Sequence, residues 1–185
     1  MARSTQAQPL ALELLSADHR KVEKLFQQYE QEKEGDDSRR QEICERICNE
    51  LTVHAQVEEE IFYPWVRGNG DDEDMVEEAL VEHESLKTLV SQLEGAEPDE
   101  SYDAKVKVLS EYVKHHVKEE ENEIFPAVRG KSGELDELGQ EIASRKMELM
   151  EELGMEADEG EEEETEGKAS RESSRSSGDS RRASR

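Results

Sequence analysis

The residues of this chain that could do chemistry are four histidines and two glutamates in a repeated spacing. The set is His19, His54, Glu58, His83, His116 and Glu120. Two of the histidines are followed four residues later by one of the glutamates, in the stretches HAQVEEEIFYP and HVKEEENEIFP. Residues four apart lie on the same face of a helix. Each stretch would therefore present an imidazole and a carboxylate side by side, a combination that suits iron, zinc or manganese.

The apolar pattern around these residues predicts that they point into a helical core. Apolar residues recur at alternating steps of three and four in four segments, which span about 9–32, 38–67, 71–94 and 98–129. This spacing is typical of the inward face of a helix bundle. Each segment places one of the four histidines on that face. The predicted face then continues through Ile61, Trp65, Glu123 and Ala127.

Short links between the segments favour antiparallel neighbours, so we expect an all-α, up-down-up-down four-helix bundle. An additional C-terminal helix is predicted over about 132–153. From residue 154 onward the sequence is acidic and then rich in Ser and Arg, which is typical of disorder. We therefore expect one domain over 1–153, with its core at 9–129, and a disordered tail over 154–185.

Composition narrows the classes of partner and the compartment. The net charge of -25 argues against nucleic acid or an anionic membrane as the main partner. No segment approaches the roughly 18 apolar residues of a membrane span, and the start, MARSTQAQPL, lacks the apolar core of a signal peptide. Cys44 and Cys48 lie four apart, a poor disulfide frame that favours two small buried thiols. We expect a cytoplasmic protein.

Carboxylates at core positions favour a metal site over a purely structural bundle. A buried glutamate is costly unless it is paired or bound to a cation. Six ligands are too many for one zinc ion, which takes about four, but they suit two metals bridged by the two carboxylates. We expect two iron ions, with manganese or a mixed pair as the alternative. The competing hypothesis is a bundle whose histidines are ordinary hydrogen-bonded core residues.

The sequence resembles the hemerythrin-like proteins with an HHE cation-binding domain over about residues 9–129. The resemblance is carried by DHRKVEKLF around His19, EHESLKTLV around His83, and the two stretches that begin at His54 and His116. It implies a four-helix bundle with a non-haem, oxo- and carboxylate-bridged di-iron centre. The six residues above would be the metal ligands, with both glutamates bridging.

One position departs from the oxygen-carrying members of that family. Those proteins carry a second histidine one turn after the third-helix histidine, where this chain has Lys87. Two octahedral irons offer roughly twelve coordination positions. Four histidines would take four of them, two bridging carboxylates four and one oxo bridge two. About two positions therefore stay open here, compared with about one if a fifth histidine were present. Glu23, Tyr112 and Glu123 are candidates to fill them, although we expect each to lie near the surface or to contact a ligand rather than bind metal.

The exogenous ligand implied by the resemblance is a small molecule such as dioxygen, peroxide or nitric oxide. One hypothesis is a binding protein with a role in sensing, storage or stress response. The alternative is a di-iron enzyme that disproportionates peroxide in a catalase-like reaction, with both metals holding the two oxygens. The sequence does not decide between the two, and it indicates no protein partner.

The neighbouring histidines at 115 and 116 are distinguished by helical geometry. His116 continues the inward face, and its ten-residue distance to Pro126 matches that from His54 to Pro64. His115 points about 100° away, so we expect it to be a bystander. In the acidic run that follows, Glu119 and Glu121 are expected to be mostly solvated.

Overall fold

Helices form every regular element in the part of the chain that the structure describes, residues 8–32, 35–69 and 73–155 of a computed structural model. The helices are α1 (Leu10–Gln31), α2 (Asp37–Val57), α3 (Tyr63–Asn69), α4 (Glu73–Leu93), α5 (Glu100–Glu119), α6 (Phe125–Val128) and α7 (Ser132–Glu152). A π-helical turn at Glu58–Phe62 joins α2 to α3, and another at Glu120–Ile124 joins α5 to α6. The predicted all-α bundle with an extra C-terminal helix is confirmed. The predicted tail lies outside the described residues from 156 onward.

Capping side chains explain where two of the long helices, α2 and α5, begin. Asp36 accepts the Ser38 backbone N–H at 3.1 Å ahead of α2, and Asp99 accepts that of Tyr102 at 2.7 Å at the start of α5. Such caps satisfy backbone donors that the first turn of a helix leaves free. Asp36 and Asp99 therefore fix the residues at which α2 and α5 begin.

The core consists of two apolar clusters separated by a polar layer. One cluster contains Leu12, Leu15, Val57, Phe62 and Val128 among others. The other contains residues of α1, α2, α4 and α5 on the other side of the histidine positions in sequence, such as Val22, Phe26, Ile47, Leu86 and Leu109. The four predicted histidines and two predicted glutamates lie between them in sequence, and all six are buried. Apolar packing on both sides thus excludes water from the polar layer.

The two π turns shift the inward face by one residue, and here the predicted face was wrong. In each turn the carbonyl of the glutamate accepts a backbone N–H five residues later, that of Tyr63 or of Phe125. The extra residue brings Phe62, Val66, Ile124 and Val128 into the core. The predicted Glu123 and Ala127 are exposed instead, and Ile61 and Trp65 are only partly buried.

A proline follows each π turn at the same offset, Pro64 in one helix and Pro126 in the other. Proline lacks an N–H, and its ring crowds the carbonyl four residues earlier in a regular helix. A widened turn just ahead of the ring relieves that crowding, and π turns of this kind are frequent at functional sites. The repeated ten-residue spacing from histidine to proline is therefore a sequence feature that indicates the π turn.

Helix α7 packs along α1 and α2 as part of the core. Its residues Leu135 and Ile142 are fully buried. Gly139 allows close approach to α1, because a Cβ there would lie 2.6 Å from the backbone nitrogen of Ala11. The Leu10 backbone N–H donates to Asp136 Oδ1 at 2.8 Å, so α7 also caps α1.

Two further expectations concern the thiols and membrane-spanning helices. Cys44 and Cys48 are free and buried, as predicted. Among the described residues, every helix is too short or too polar to cross a bilayer.

Candidate metal centre

The four predicted histidines converge in pairs at the middle of the bundle. The Nε2 atoms of His19 and His54 lie 3.2 Å apart, and those of His83 and His116 lie 3.1 Å apart. All four side chains are at most 5% exposed. Each pair joins two adjacent helices, α1 with α2 and α4 with α5, so the structure contains two imidazole pairs that face one interior space.

The carboxylate of Glu58 lies between the two pairs. Its Oε1 is 3.3 Å from His54 Nε2, and its Oε2 is 3.3 Å from His83 Nε2. Glu120 places Oε2 at 3.1 Å from His19 Nε2. Both glutamates are at most 1% exposed. Ligand atoms close enough to surround one cation therefore form two fully buried groups, and Glu58 belongs to both. A third group among the described residues, Glu82, His115 and Glu119, includes the exposed His115 and none of the predicted ligands.

Several of these buried polar atoms make no hydrogen bond of regular geometry among the described residues, although Glu120 Oε2 lies 3.1 Å from His19 Nε2. They include Oε1 of Glu58 and both carboxylate oxygens of Glu120. Buried carboxylate oxygens without donors are costly unless a cation lies beside them. The nitrogen and oxygen donors, with no thiolate in the group, fit iron, manganese or zinc. The residues present thus fit a two-metal centre by their chemistry.

The ionisation of the metal-free centre shows how much positive charge it lacks. Burial, together with the neighbouring Glu120, raises the pKa of Glu58 well above its usual value. Burial opposes charge on Glu120, but His19 and then His116 and His54 lower its pKa to about 2. Burial also opposes charge on His19, but Glu120 and Glu121 raise its pKa to about 10. Burial lowers the pKa of His54 to about 4. In the metal-free centre, a proton on His19 therefore supplies positive charge that a bound metal cation would otherwise supply.

Outer carboxylates orient two of the histidines from the opposite hairpin. His19 Nδ1 lies 3.0 Å from Glu121 Oε1, and His83 Nδ1 lies 2.9 Å from Glu59 Oε1. Each acid directly follows one of the buried glutamates in sequence. A carboxylate that accepts the Nδ1 proton leaves the Nε2 lone pair directed at the centre. Glu121 was expected to be mostly solvated; 39% of its side chain is exposed, and the carboxylate also contacts His19, which the expectation did not include.

The other two histidines meet carboxylates from their own hairpin. His116 Nδ1 is 2.8 Å from Glu82 Oε2, and His54 Nδ1 is 3.7 Å from Asp18 Oδ2. These acids directly precede the histidines of α4 and α1. Sequence reasoning missed all four outer acids, although each is adjacent in sequence to a predicted ligand.

Tyr63 is a further buried group of the centre that the sequence analysis missed. Its hydroxyl is 3.3 Å from Glu58 Oε2, to which it donates, and 3.5 Å from His83 Nε2. Burial and the negative charges of Glu120 and Glu58 raise its pKa well above the usual value. The phenol therefore holds its proton beside the carboxylate that lies between the imidazole pairs.

The residues that were considered for the open metal positions lie outside the buried group. Glu23 and Glu123 are exposed, and Tyr112 is 50% exposed. Lys87 donates from Nζ to Glu59, the acid that contacts His83. The position of the missing fifth histidine is thus occupied by a cation that anchors an outer carboxylate.

His115 points away from the centre, as its helical position predicts. Its side chain is 60% exposed and lies 3.2 Å from Glu119 and 3.5 Å from Glu82. It therefore contacts an outer acid of the centre from the solvent side.

A small apolar cavity adjoins the imidazole pairs. Its volume is about 20 Å³, and its walls include Val22, Leu51, Leu86, Val90 and Val113 beside the four histidines. A space of that size holds about one water-sized molecule, and its apolar lining offers few hydrogen bonds.

Comparison with known proteins agrees with this geometry. Residues 10–128 match the family described as the hemerythrin HHE cation binding domain, and the chain therefore belongs to the hemerythrin HHE family. It is 30% identical over 151 residues to a protein named DNA nickase from Nostoc sp. (strain PCC 7120 / SAG 25.82 / UTEX 2576). The match covers 78% of this chain and 41% of that relative, so the chain spans less than half of the relative's length. No solved structure matches the chain.

Proposed function

We propose that this protein holds two non-haem iron ions and binds a small ligand such as dioxygen, peroxide or nitric oxide. The observation that carries the proposal is the position of Glu58, whose two oxygens each lie 3.3 Å from an imidazole of a different pair. One ion would be held by His19 and His54, the other by His83 and His116. Glu58 and Glu120 would bridge them. Two manganese ions or a mixed pair are the alternative occupants.

The metals, when bound, would supply open positions for the exogenous ligand and one-electron chemistry. The chain's own residues define what can enter. The cavity of about 20 Å³ beside the histidines admits a molecule of two or three atoms. Its walls are mainly valine and leucine, with Asp18, Thr52 and Lys87 also lining it, and this small, mostly apolar space favours a small uncharged ligand. These features support a role in sensing, storage or stress response for a small gas or peroxide.

A catalase-like enzyme is the second candidate, and Tyr63 is the observation that favours it. Its buried hydroxyl donates to Glu58 at 3.3 Å and keeps its proton because its pKa is raised. A hydroxyl that keeps its proton could donate a hydrogen bond to peroxide held beside Glu58 without itself ionising. Steady release of dioxygen from added peroxide would favour the enzyme, whereas a reversible spectral change on oxygenation would favour a carrier or sensor.

The name DNA nickase belongs to a relative more than twice as long as the matched region, and we do not extend it to this chain. The net charge of -25 disfavours contact with a polyanion. We propose a cytoplasmic location, where the buried thiols Cys44 and Cys48 would stay reduced.

The proposal is tested by iron analysis and by spectra of iron-loaded protein after air, peroxide and nitric oxide are added in turn. We expect about two irons per chain and a distinct change with at least one of the three ligands. His54→Ala should lose iron, whereas His115→Ala, a matched change at an exposed histidine, should keep it. Equal iron in the two variants would show that the centre is assigned wrongly.

A further inference from the structure

Helix α7 reaches the surroundings of the metal centre although it lies beyond the residues matched by the family. Its Lys146 forms an ion pair with Asp18 Oδ1 on α1. Its Arg145 donates from Nε to Glu60 Oε2 at 2.7 Å, and Glu60 belongs to the π turn that begins at Glu58. Two adjacent basic residues of α7 therefore hold two acids that are sequence neighbours of predicted ligands.

The contact of Lys146 is the more consequential, because its partner is buried. Asp18 is 5% exposed, and its second oxygen lies 3.7 Å from His54 Nδ1, just beyond hydrogen-bond distance. Neither of these two buried atoms has a hydrogen-bond partner among the described residues. A buried carboxylate with one cation partner depends strongly on that partner. Lys146 is itself mostly buried, with 19% of its side chain exposed. The order of contact is thus Lys146, Asp18, His54 and then the centre.

The Arg145 contact supports the same helix position more weakly. The Glu60 side chain is 39% exposed, and ion pairs at that exposure contribute little. Arg145 also approaches Glu148 and Glu152 on its own helix. We therefore assign the connection to the centre to Lys146 rather than to Arg145.

The other half of the centre has no such connection to α7 among the described contacts. The acid that contacts His116 is Glu82 of α4, and its second neighbour is His115 of α5. The acid that contacts His83 is Glu59, which Lys87 of α4 anchors. These outer acids are held within the four-helix bundle, so the two metal positions differ in their dependence on α7.

We propose that α7 is part of the metal centre, with Lys146 as a positioning residue that holds Asp18 against His54. This inference rests on the proposed function, since it assumes that His19 and His54 hold a metal ion. Loss of Lys146 leaves Asp18 free to turn away, and His54 then loses the carboxylate that faces its Nδ1 at 3.7 Å. The metal position at His19 and His54 weakens, while that at His83 and His116 is retained.

The test compares full-length wild type with Lys146→Met and with Lys114→Met. Lys114 is an exposed lysine of α5 that approaches Glu111 at 3.6 Å, so it controls for removal of a charge. Each protein is loaded with iron and then challenged with a chelator. We expect about two irons retained per chain in wild type and in Lys114→Met, and about one in Lys146→Met. Two irons in Lys146→Met would overturn the inference.

Two more variants separate positioning from a general loss of folding. Lys146→Arg keeps the cation and should restore the second iron, which a defect in helix packing would not predict. In an Asp18→Asn background, Lys146→Met should cause no additional loss, because its partner is already neutral. Additive losses would show that Lys146 does not act through Asp18. Failure of wild type itself to retain iron would instead refute the proposed function.

Discussion

At the scale of single residues, Glu58 distinguishes this centre from a set of buried histidines. Its oxygens contact imidazoles of both pairs, and its pKa is raised because it is buried beside Glu120. A side chain in that state destabilises a purely structural core. Two cations bound on either side of the Glu58 carboxylate would offset the cost of burying it.

The outer acids should contribute to metal affinity nearly as much as the predicted ligands do. Glu59→Ala removes the carboxylate that accepts from His83 Nδ1 at 2.9 Å, and outer partners of metal-bound histidine contribute about 10- to 100-fold to affinity. We expect metal affinity to fall by about that factor, as measured by competition with a chelator. Glu119→Ala, at an acid that contacts only the bystander His115 among its described ion pairs, should leave affinity unchanged. Equal effects of the two changes would contradict the assignment.

Metal binding should release protons. In the metal-free protein, the pKa of His19 is about 10, so its imidazolium persists at pH 7 to 8. A metal needs the neutral ring, and binding must displace that proton. We therefore expect affinity to rise with pH up to the pKa of His19. The measurement is calorimetry in buffers of different protonation enthalpy, and a binding heat that is independent of the buffer would count against this protonation state.

At the scale of elements, the π turns decide which side chains the bundle buries. Because each turn adds one residue, Phe62 is fully buried while its neighbour Ile61 is only partly buried. The same shift brings Tyr63 to the centre, where its hydroxyl meets Glu58. The two π turns thus connect the predicted ligands Glu58 and Glu120 to the apolar core that follows them in sequence.

This register gives a stability prediction. Phe62→Ala should reduce the free energy of unfolding by about 3–5 kcal/mol, the usual cost of removing a buried phenylalanine. Ile61→Ala should cost clearly less, since that side chain retains contact with solvent. Denaturant unfolding of both variants measures the difference. A regular helix without the added residue would bury Ile61 rather than Phe62, and Ile61→Ala would then be the more destabilising change.

The sequence predicted the histidines well because their spacing encodes helical geometry directly. His116 rather than His115 lies inside, as its seam position required. The outer acids were not predictable in the same way: Glu121 reaches His19 across two hairpins, and this pairing depends on tertiary packing. The face beyond Glu58 and Glu120 was missed because regular helical periodicity does not contain the added residue.

At the scale of the whole molecule, two apolar clusters enclose a polar layer that is short of positive charge. Apolar packing must stabilise the bundle against the cost of that layer in the metal-free state. Helix α7 contributes to the first cluster through Leu135 and Ile142. The fold and the centre are therefore thermodynamically coupled.

Metal should stabilise the folded protein accordingly. A ligand that binds the native state alone at about 100 times its Kd adds about 2.7 kcal/mol. We expect the melting temperature to rise on iron loading and to fall again with a chelator, as followed by circular dichroism. Glu58→Ala should show a much smaller rise. An equal rise in that variant would place the stabilising metal elsewhere on the chain.

The measurement that tests the central claim most directly is the iron content of purified, iron-loaded wild type beside Glu58→Ala. Two metal positions that share Glu58 predict about two irons per chain in wild type and fewer than one in the variant. Two irons in both proteins, or none in wild type, would contradict a centre built on this carboxylate.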